Sequence, residues 1–587
     1  MDNVSPSNES RGYGKRPEEK PNAVEKHVEN GKANDQSLSV ISYSMQSSSI
    51  VELKEISQND GLNLESMVAS PAKKPLSFYM SVICLCIIVL LVAWEAASLA
   101  AAIPIIASEL HATTLESFWA NVCFMLGIAV AQPICATVSD VLGRKLPLYL
   151  SMFLYAIGSI VFALANNMTV LIIGRVLQGL GGGGLDVLQA IILADITTLK
   201  ERPLFFGIIG MPIAIGHIMG PIAGALFAEY VSWRWIGWVN LPFLGIAFGL
   251  AFFYLNLRPI ELHMSARLRR LDLIGMSLFV VATTCVSLPL SWAGSLYPWE
   301  SWRTILPLTI GFAFVGLFAY YEKIPEEAVF PYRLFSNITA VMALLCAFLH
   351  GSILYIVLLY FPLFFQAVYL QKPLQSTVSL IPFAAPLVGF SVISPIIVKK
   401  TRRYRWQLVI GWAITTLFLG LFCLLKRTSS LTIVIVFQAF IGVGVGTTFS
   451  ATAVPMQASV ENVNDQGLAG GLVVIFRLFG GLIGLAIAST IFNISFTSSI
   501  TSLGPLPEAL KTLEDASHAL GFIPTLRSLE LPDETLGMLI DAYLVPFRTI
   551  WIVITCFAGV GILSVLLSKE LSIETEDLGR QHFELSL

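Results

Sequence analysis

Apolar residues along this chain fall into blocks of roughly 20, and short polar or charged stretches separate the blocks. A helix of that length, rising about 1.5 Å per residue, crosses the roughly 30 Å hydrocarbon core of a bilayer. Strands of a transmembrane barrel would instead be about 10 residues long and alternate in polarity. The pattern therefore predicts membrane-spanning helices.

Fourteen such blocks are present, so the predicted fold class is an all-α membrane protein with fourteen transmembrane helices. The predicted spans are 79–105, 117–138, 147–165, 169–193, 204–228, 235–256, 272–293, 304–321, 338–360, 376–397, 406–425, 431–453, 467–492 and 549–567.

The regions outside the spans are polar. Residues 1–76 are rich in Ser, Asn, Glu and Lys, which predicts a disordered cytosolic tail. No apolar stretch precedes residue 78, so we expect no signal peptide. A long outward loop is predicted at 493–548, with an amphipathic helix near 507–520 that caps the outer mouth, and residues 568–587 form a second tail.

Lysine and arginine in the short loops predict the orientation. The even-numbered loops carry fifteen of these residues and the short odd-numbered loops carry five. Because positive charge accumulates on the cytosolic side, both termini are expected in the cytosol.

Composition narrows the function class. The 587 residues are 55% hydrophobic and 13% charged, with a net charge of -3, against about 25% charged in soluble domains. These values exclude a soluble enzyme, a nucleic-acid binder and a secreted disulfide scaffold. The eight cysteines lie in apolar blocks and the seven histidines are scattered. We therefore predict no catalytic site, no metal site and no cofactor, and no Walker A sequence points to ATP.

Ionisable residues inside the spans are the informative ones, because a charge in the bilayer is costly unless it faces a cavity or a partner. A desolvated carboxyl such as Glu95 can bind and release a proton, whereas Arg175 keeps its charge and can bias a neighbouring carboxylate. Proton coupling is therefore assigned to Glu95, Arg175 and Asp186. The ionisable residues that we consider inside the spans are Glu95, Arg175, Asp186, His217, His350 and Arg477.

The glycine run 179–184 in span 4 could suggest a phosphate cradle. No Lys-Ser/Thr follows it, and it lies in the middle of a span. Small residues at such places let helices pack closely, so a packing role is predicted.

The loop after span 2 has the sequence ATVSDVLGRK at 136–145. It resembles the signature loop of the major facilitator superfamily, from which Ala136 and Val141 depart. The matching positions are Asp140, Gly143, Arg144 and Lys145.

Further motifs resemble one branch of that superfamily, the fourteen-span drug:proton antiporters of fungal efflux-pump type. Residues 175–179 are similar to its second motif, and residues 233–235 and 240–242 are typical of it. Glu95 stands where that family usually has Asp. Its exporter ("antiporter") motif is matched at Gly216, Gly220, Pro221 and Gly224.

The resemblance implies two six-helix halves, 77–257 and 338–567, with two extra central helices in 258–337. It implies a central cavity lined by spans 1, 4, 9 and 12, and a latch between Asp140 and Arg144 that closes the cytosolic side. The residues assigned to the substrate cavity are His350, Gln366, Gln438 and Arg477.

The resulting functional hypothesis is a proton-driven secondary exporter of amphipathic small molecules such as drugs, toxins or secondary metabolites. It is expected to act as a monomer in the lipid bilayer of the plasma membrane, with protons and the substrate as partners and no nucleic acid. The alternative is an importer or vacuolar carrier of siderophores or basic amino acids. A cationic substrate would need several carboxylates in the cavity, and only Glu95 and Asp186 are available there. Basic amino acids therefore fit less well as substrates. An apolar cavity recognises shape and size, so the sequence does not name the substrate.

Overall fold

The structure is a computed structural model. It describes residues 74–111, 114–258, 271–293, 297–325, 328–462, 465–504, 510–511, 513, 519–528 and 532–573. Most of the predicted tails, 1–76 and 568–587, and most of the predicted helix near 507–520 lie outside these residues.

Fourteen helices of the described chain are long and apolar enough to cross a membrane, which confirms the predicted number of spans. The first half contains α1 (Leu76–Glu109), α2 (Thr114–Leu142), α3 (Lys145–Ala163), α4 (Met168–Ile196), α5 (Arg202–Tyr230) and α6, which is built from Trp235–Trp238 and Asn240–Tyr254. Then come α7 (Leu273–Trp292) and α8 (Trp302–Tyr321). The second half contains α9 (Ile338–Val368), α10 (Ile381–Thr401), α11 (Arg405–Phe422), α12 (Leu431–Ala451), α13 (Gln466–Thr501) and α14 (Asp533–Leu567).

Side-chain caps fix where several helices begin. Asn167 accepts a hydrogen bond from the Val170 amide at the start of α4, and Asp272 does the same for the Gly275 amide at the start of α7. Such caps satisfy backbone donors that have no partner inside the helix. The polar residues that separate the apolar blocks therefore also set the helix boundaries.

The loop predicted at 493–548 is much shorter in the structure, because α13 continues to Thr501 and α14 already begins at Asp533. Aromatic residues hold these extensions together: the rings of Phe496 and Tyr543 are 4.7 Å apart, and both side chains are buried. Asp533 and Glu534 occupy the first turn of α14, where negative charge is favourable. Helix continues here because it buries aromatic surface beyond the apolar span.

The helices pack in two groups of six. In the first group α1 packs on α5, and α2 and α3 pack on α4; in the second, α9 packs on α13 and α14, and α10 on α12. Helices α7 and α8 pack mainly on each other, and α7 also contacts α2 and α13. The two groups meet where α5 contacts α10 and where α13 contacts α4 and α2.

One end of the bundle carries the loops that follow α2, α4 and α10, and it holds Arg144, Arg202 and Arg402. We call it the basic end. The candidate site lies between this end and the opposite one, where the two halves face each other.

Candidate transport site and gate

Glu95 and Arg175 form a fully buried ion pair within the first half. Nη1 of Arg175 donates to Oε1 of Glu95 at 2.5 Å, and the side chains are 0% and 1% exposed. The structure therefore brings together two residues that are 80 positions apart in the sequence. A charge pair at this depth needs further hydrogen bonds to offset its desolvation.

Those further bonds come from α4, α6 and the α2 backbone. Nδ2 of Asn240 donates to Oε2 of Glu95 at 2.7 Å, and Nε of Arg175 donates to the carbonyl of Ala120 at 3.1 Å. The Arg175 guanidinium also lies over the ring of Phe124, 4.3 Å from its centroid. Gln178 completes the network by accepting from Arg175 at 3.3 Å. Sequence reasoning gave no role to Asn240 or Gln178, although polar residues inside apolar blocks were a signal for both.

The exporter-motif glycines of α5 pack against the part of α1 that carries Glu95. A Cβ atom at Gly220 would lie 2.6 Å from the carbonyl oxygen of Trp94, and one at Gly216 would lie 2.8 Å from that of Leu90. Gly224 approaches the backbone of Ser98 in the same way, and Pro221 lies between these glycines on α5. The motif therefore sets how closely α5 approaches the helix that carries Glu95.

A central cavity of about 80 Å³ lies between the two halves. Its described lining is mostly apolar, and the polar groups in it include Asp186 from α4, His217 from α5 and Arg477 from α13. Glu95 and Arg175 are outside this lining, but α1 contributes Ala93 and Ala96 to it. Pockets that hold drug-sized ligands are roughly 300–1,000 Å³, so the halves are closed over the cavity in this conformation.

Asp186 and Arg477 bring opposite charges to the cavity from opposite halves. Nε2 of Gln132 donates to Oδ2 of Asp186 at 2.7 Å. Nη2 of Arg477 donates to the carbonyl of Phe449 at 2.6 Å, and its guanidinium lies 4.1 Å from the centroid of the Phe449 ring. Within the described residues, Nε of Arg477 is buried without a hydrogen-bond partner. The cavity therefore offers both a hydrogen-bond acceptor and a donor to a polar group.

His217 adds a second unused polar atom. Its Nδ1 lies 2.9 Å from the carbonyl of Ile213, and its ring meets Tyr355 edge-on at 5.8 Å. Among the residues that the structure describes, its Nε2 has no partner.

Three of the four residues predicted to line the substrate cavity lie elsewhere, and only Arg477 lines it. Nε2 of His350 is 3.0 Å from the carbonyl of Val445, and Gln366 donates to the hydroxyl of Ser376 at 3.0 Å. Gln438 is fully buried in α12. His350 and Gln366 therefore bond to groups of the second half, whereas both amide atoms of Gln438 are buried without a hydrogen-bond partner among the described residues.

The signature loop forms a charge cluster at the basic end. Gly143 has a φ of 92°, a left-handed conformation that favours glycine, and it lets the chain turn between α2 and α3. Lys145 begins α3. Arg144 turns inward and donates to Asp140, to the hydroxyl of Ser139 at 2.8 Å and to Asp195 at 2.8 Å.

Burial by itself would lower the pKa of Arg144, but the carboxylates of Asp140 and Asp195 outweigh it and raise that pKa above its ordinary value. The guanidinium therefore stays charged. The predicted pair between Asp140 and Arg144 is present, and Asp195 at the end of α4 is a partner that sequence reasoning missed.

Contacts between the halves lie beside this cluster. Arg202, 1% exposed, donates to Oε1 of Gln466 at 2.6 Å and to the carbonyl of Ala194 at 2.7 Å. A Cβ atom at Gly467, next in α13, would lie 3.1 Å from Oδ1 of Asp195. The start of α13 is therefore seated on the end of α4, which closes the basic end.

Comparison with known proteins places the chain in a family. The Major Facilitator Superfamily model matches residues 85–485. The MFS-type transporter sphD of Aspergillus fumigatus is 46% identical over 525 residues, which cover 89% of this chain and 90% of that protein. The MFS-type efflux pump LUC4 of Fusarium sp is 32% identical over 528 residues, covering 89% and 93%.

Among solved structures, the fold is similar to that of the proton:xylose symporter XylE, which was solved with 6-bromo-6-deoxy-D-glucose. The TM-score is 0.53 at 12% identity, over 85% of this chain and 98% of that one. Identity at this level shows the fold alone, and that fold is the one implied by the sequence motifs. The family match, the fold and the fourteen apolar helices together establish that the chain is a multi-pass membrane protein of the Major Facilitator Superfamily of transporters.

Proposed function

We propose that this transporter is a proton-driven exporter of amphipathic small molecules, including drugs, toxins and secondary metabolites. The observation that carries the proposal is the fully buried Glu95–Arg175 pair in helices that also line or border the central cavity. The name of the similar Fusarium efflux pump supports the outward direction.

Proton binding at Glu95 supplies the coupling step. Protonation neutralises the carboxylate and removes the counter-charge of Arg175, which is then left buried with its hydrogen bonds to Ala120 and Gln178. A buried unpaired guanidinium is costly, since breaking such a pair costs on the order of 3–5 kcal/mol. That cost favours a rearrangement of α1 against α4 and α6.

The rearrangement reaches the cavity through the same helices. Ala93 and Ala96 flank Glu95 on α1, and Asp186 follows Arg175 on α4, so a shift of either helix changes the cavity wall. In the alternating-access mechanism the two halves rock about such a midplane site. Proton influx then drives the opening that the closed cavity needs before a substrate can bind.

The substrate class follows from the lining. Its walls are largely apolar, and the polar groups among them include Asp186, His217 and Arg477. An apolar cavity with a few polar groups suits a molecule that has an apolar body and a polar end.

The cavity and the ion pair both lie within one chain, which is consistent with a monomer as the working unit.

The exporter operates in the plasma membrane with both termini in the cytosol. Arg144, Arg202 and Arg402 at the basic end support this orientation, because positive charge is favoured on the cytosolic side. In that orientation the cluster of Asp140, Arg144 and Asp195 closes the cavity toward the cytosol.

The proposal can be tested by measuring dye uptake and the pH of the lumen in inside-out vesicles from cells that express the chain. We expect an acidic lumen to drive uptake of a fluorescent amphipathic dye, and addition of the dye to alkalinise the lumen. A protonophore should abolish both signals. Net release of dye preloaded into an acidic lumen, with protons moving in the same direction, would instead establish the importer alternative.

A further inference from the structure

A second cavity lies away from the central one, between α7, α8 and α13. Its volume is about 490 Å³, within the range that holds drug-sized ligands. Lining residues come from α7, from α8, from the segment after α8 and from α13, for example Thr283, Val315, Phe330 and Ile483. The cavity is therefore built from the two extra helices and one helix of the second half.

Aromatic rings form much of its wall. Phe279 lies at the centre of the cluster, and its ring centroid is 5.5 Å from that of Phe318, 5.6 Å from that of Phe330 and 6.2 Å from that of Phe479. Mutual packing of this kind holds each ring in place. The wall is thus a preformed apolar surface.

A single carboxyl group stands at one end of the cavity. Glu322 follows directly after α8 and is only 4% exposed. Its Oε2 accepts from the Phe330 amide at 3.0 Å, whereas in the described part of the chain its Oε1 is buried without a hydrogen-bond partner. Burial raises the pKa of Glu322 to about 7. A buried acceptor without a partner carries a desolvation cost that a donor from a ligand would offset.

The cavity opens on the surface of α8. Phe312 and Val315 line it and are 61% and 42% exposed. Helix α8 is the least buried of the fourteen candidate spans, with 17% of its apolar window covered by protein. Because a spanning helix of this kind faces lipid, a molecule dissolved in the bilayer can reach the cavity without passing through water.

We propose that this cavity binds an apolar molecule that carries one hydrogen-bond donor, a hydroxyl or an ammonium group, at one end. The donor bonds to Oε1 of Glu322, and the apolar body lies along α7 and α8 against the aromatic wall. Two sources supply this chemistry: a sterol-type alcohol of the bilayer and an amphipathic amine. The site is independent of the direction of transport.

Helix α13 connects this outer cavity to the central cavity, because its residues line both of them. Arg477 and Leu478 of this helix line the central cavity, while Phe479 and Ile483 line the outer one. A bound molecule would therefore support the side of α13 that faces away from the central cavity.

Binding is tested on the full chain in nanodiscs with two fluorescent probes, a sterol with a free 3-hydroxyl and a long-chain primary alkylamine. Each is paired with an analogue that lacks the donor: the sterol methyl ether and the corresponding hydrocarbon. We expect saturable binding of at least one probe, at least tenfold tighter than that of its analogue. The probe that binds identifies the source.

Two variants and a matched control locate the binding. Val315→Trp fills the mouth and should abolish binding, whereas Leu317→Trp, at a 50% exposed position of the same helix outside the described lining, should leave it unchanged. In Glu322→Gln the amide oxygen can still accept from Phe330 while the NH₂ group faces the cavity. An ammonium cannot accept from that NH₂ group, so affinity for the alkylamine should fall at least tenfold, whereas the sterol hydroxyl can accept and should lose less. The proposal is overturned if neither probe binds saturably, or if Val315→Trp and Glu322→Gln both bind like the natural chain.

Discussion

At the scale of single residues, the most consequential feature is an ion pair with no access to water. Glu95 and Arg175 are almost completely buried, and each has additional polar partners, such as Asn240 for Glu95 and Ala120 for Arg175. Buried ion pairs are poor devices for stability, since apolar replacements often stabilise as well or better. A buried ion pair next to the central cavity therefore fits a functional role. Two substitutions test that role.

Glu95→Gln should abolish the effect of a proton gradient on transport, because the amide cannot bind and release a proton. Exchange of labelled for unlabelled substrate across vesicles without a gradient should persist, since that exchange needs no proton. Thermal unfolding should shift to lower temperature, because Arg175 loses its counter-charge. Gradient-driven uptake at the natural rate would remove Glu95 as the coupling residue.

Arg175→Lys should impair gradient-driven uptake nearly as much as Arg175→Ala, although it keeps a cationic group. The guanidinium donates at once to Glu95, to the Ala120 carbonyl and to Gln178, and a lysine ammonium cannot reproduce that planar geometry. Initial uptake rates at equal expression measure the effect. A lysine variant that transports like the natural chain would show that charge alone suffices.

Sequence reasoning found this pair because the cost of a charge in the bilayer singles out Glu95 and Arg175. It missed Asn240, since an uncharged amide carries a weaker signal. It also missed Asp195 as the partner of Arg144, because the resemblance that identified the loop covers only 136–145. Partners on other helices are contacts of the folded chain, and they leave no spacing in the sequence.

At the scale of helices, the apolar blocks predict the number of spans but not the direction in which their side chains point. His350 on α9 and Gln438 on α12 were predicted to face the cavity. His350 instead lies against the carbonyl of Val445, and Gln438 is buried outside the cavity lining. Helices that are apolar all round lack the polar stripe from which a face is assigned. The extensions of α13 and α14 were missed for a different reason: their ends mix polar and aromatic residues and so fall outside the apolar blocks.

The glycine run of α4 gives a test at this scale, because neighbouring glycines have different surroundings. A Cβ atom at Gly181 would lie 2.6 Å from the carbonyl oxygen of Ser151, whereas one at Gly182 would lie 3.6 Å from the ring of Tyr155. Gly181→Ala should therefore push α3 and α4 apart and destabilise the fold by about 1–3 kcal/mol.

Gly182→Ala is the matched control, and it should be neutral or stabilise by up to about 1 kcal/mol, since alanine is the better helix former. Thermal unfolding in detergent, followed with a thiol-reactive dye that detects the buried Cys84 and Cys346 as they become exposed, ranks the variants. Equal unfolding temperatures would show that close α3–α4 packing does not depend on Gly181.

At the scale of the whole molecule, the two halves are joined at the basic end by contacts between distant segments. Arg202 of α5 bonds Gln466 of α13 at 2.6 Å, and Arg402 after α10 donates to the carbonyl of Lys200 at 3.2 Å. The sequence showed that this end is basic, but these pairings depend on how the halves dock, which no local pattern encodes. The small central cavity fits a state in which this end is closed.

The side of the central cavity toward the basic end also offers a place to lock the halves. Gly210 of α5 and Ser450 of α12 both line the central cavity from different halves. A Cβ atom at Gly210 would lie 3.1 Å from Oγ of Ser450. In a disulfide each Cβ is about 3 Å from the sulfur of its partner, so cysteines at these two positions are placed to form one.

If transport requires the halves to separate at this end, the oxidised Gly210→Cys/Ser450→Cys variant should lose at least tenfold in uptake rate, and a reductant should restore it. The disulfide holds α5 against α12, so the cavity cannot open toward the basic end. The single variants Gly210→Cys and Ser450→Cys, treated with the same oxidant, control for the eight native cysteines and should keep their rates. Mass spectrometry of the digested protein quantifies the cross-link. A fully cross-linked variant that transports at its reduced rate would mean that the halves do not part between α5 and α12, and the rocking mechanism would have to open the cavity along another contact.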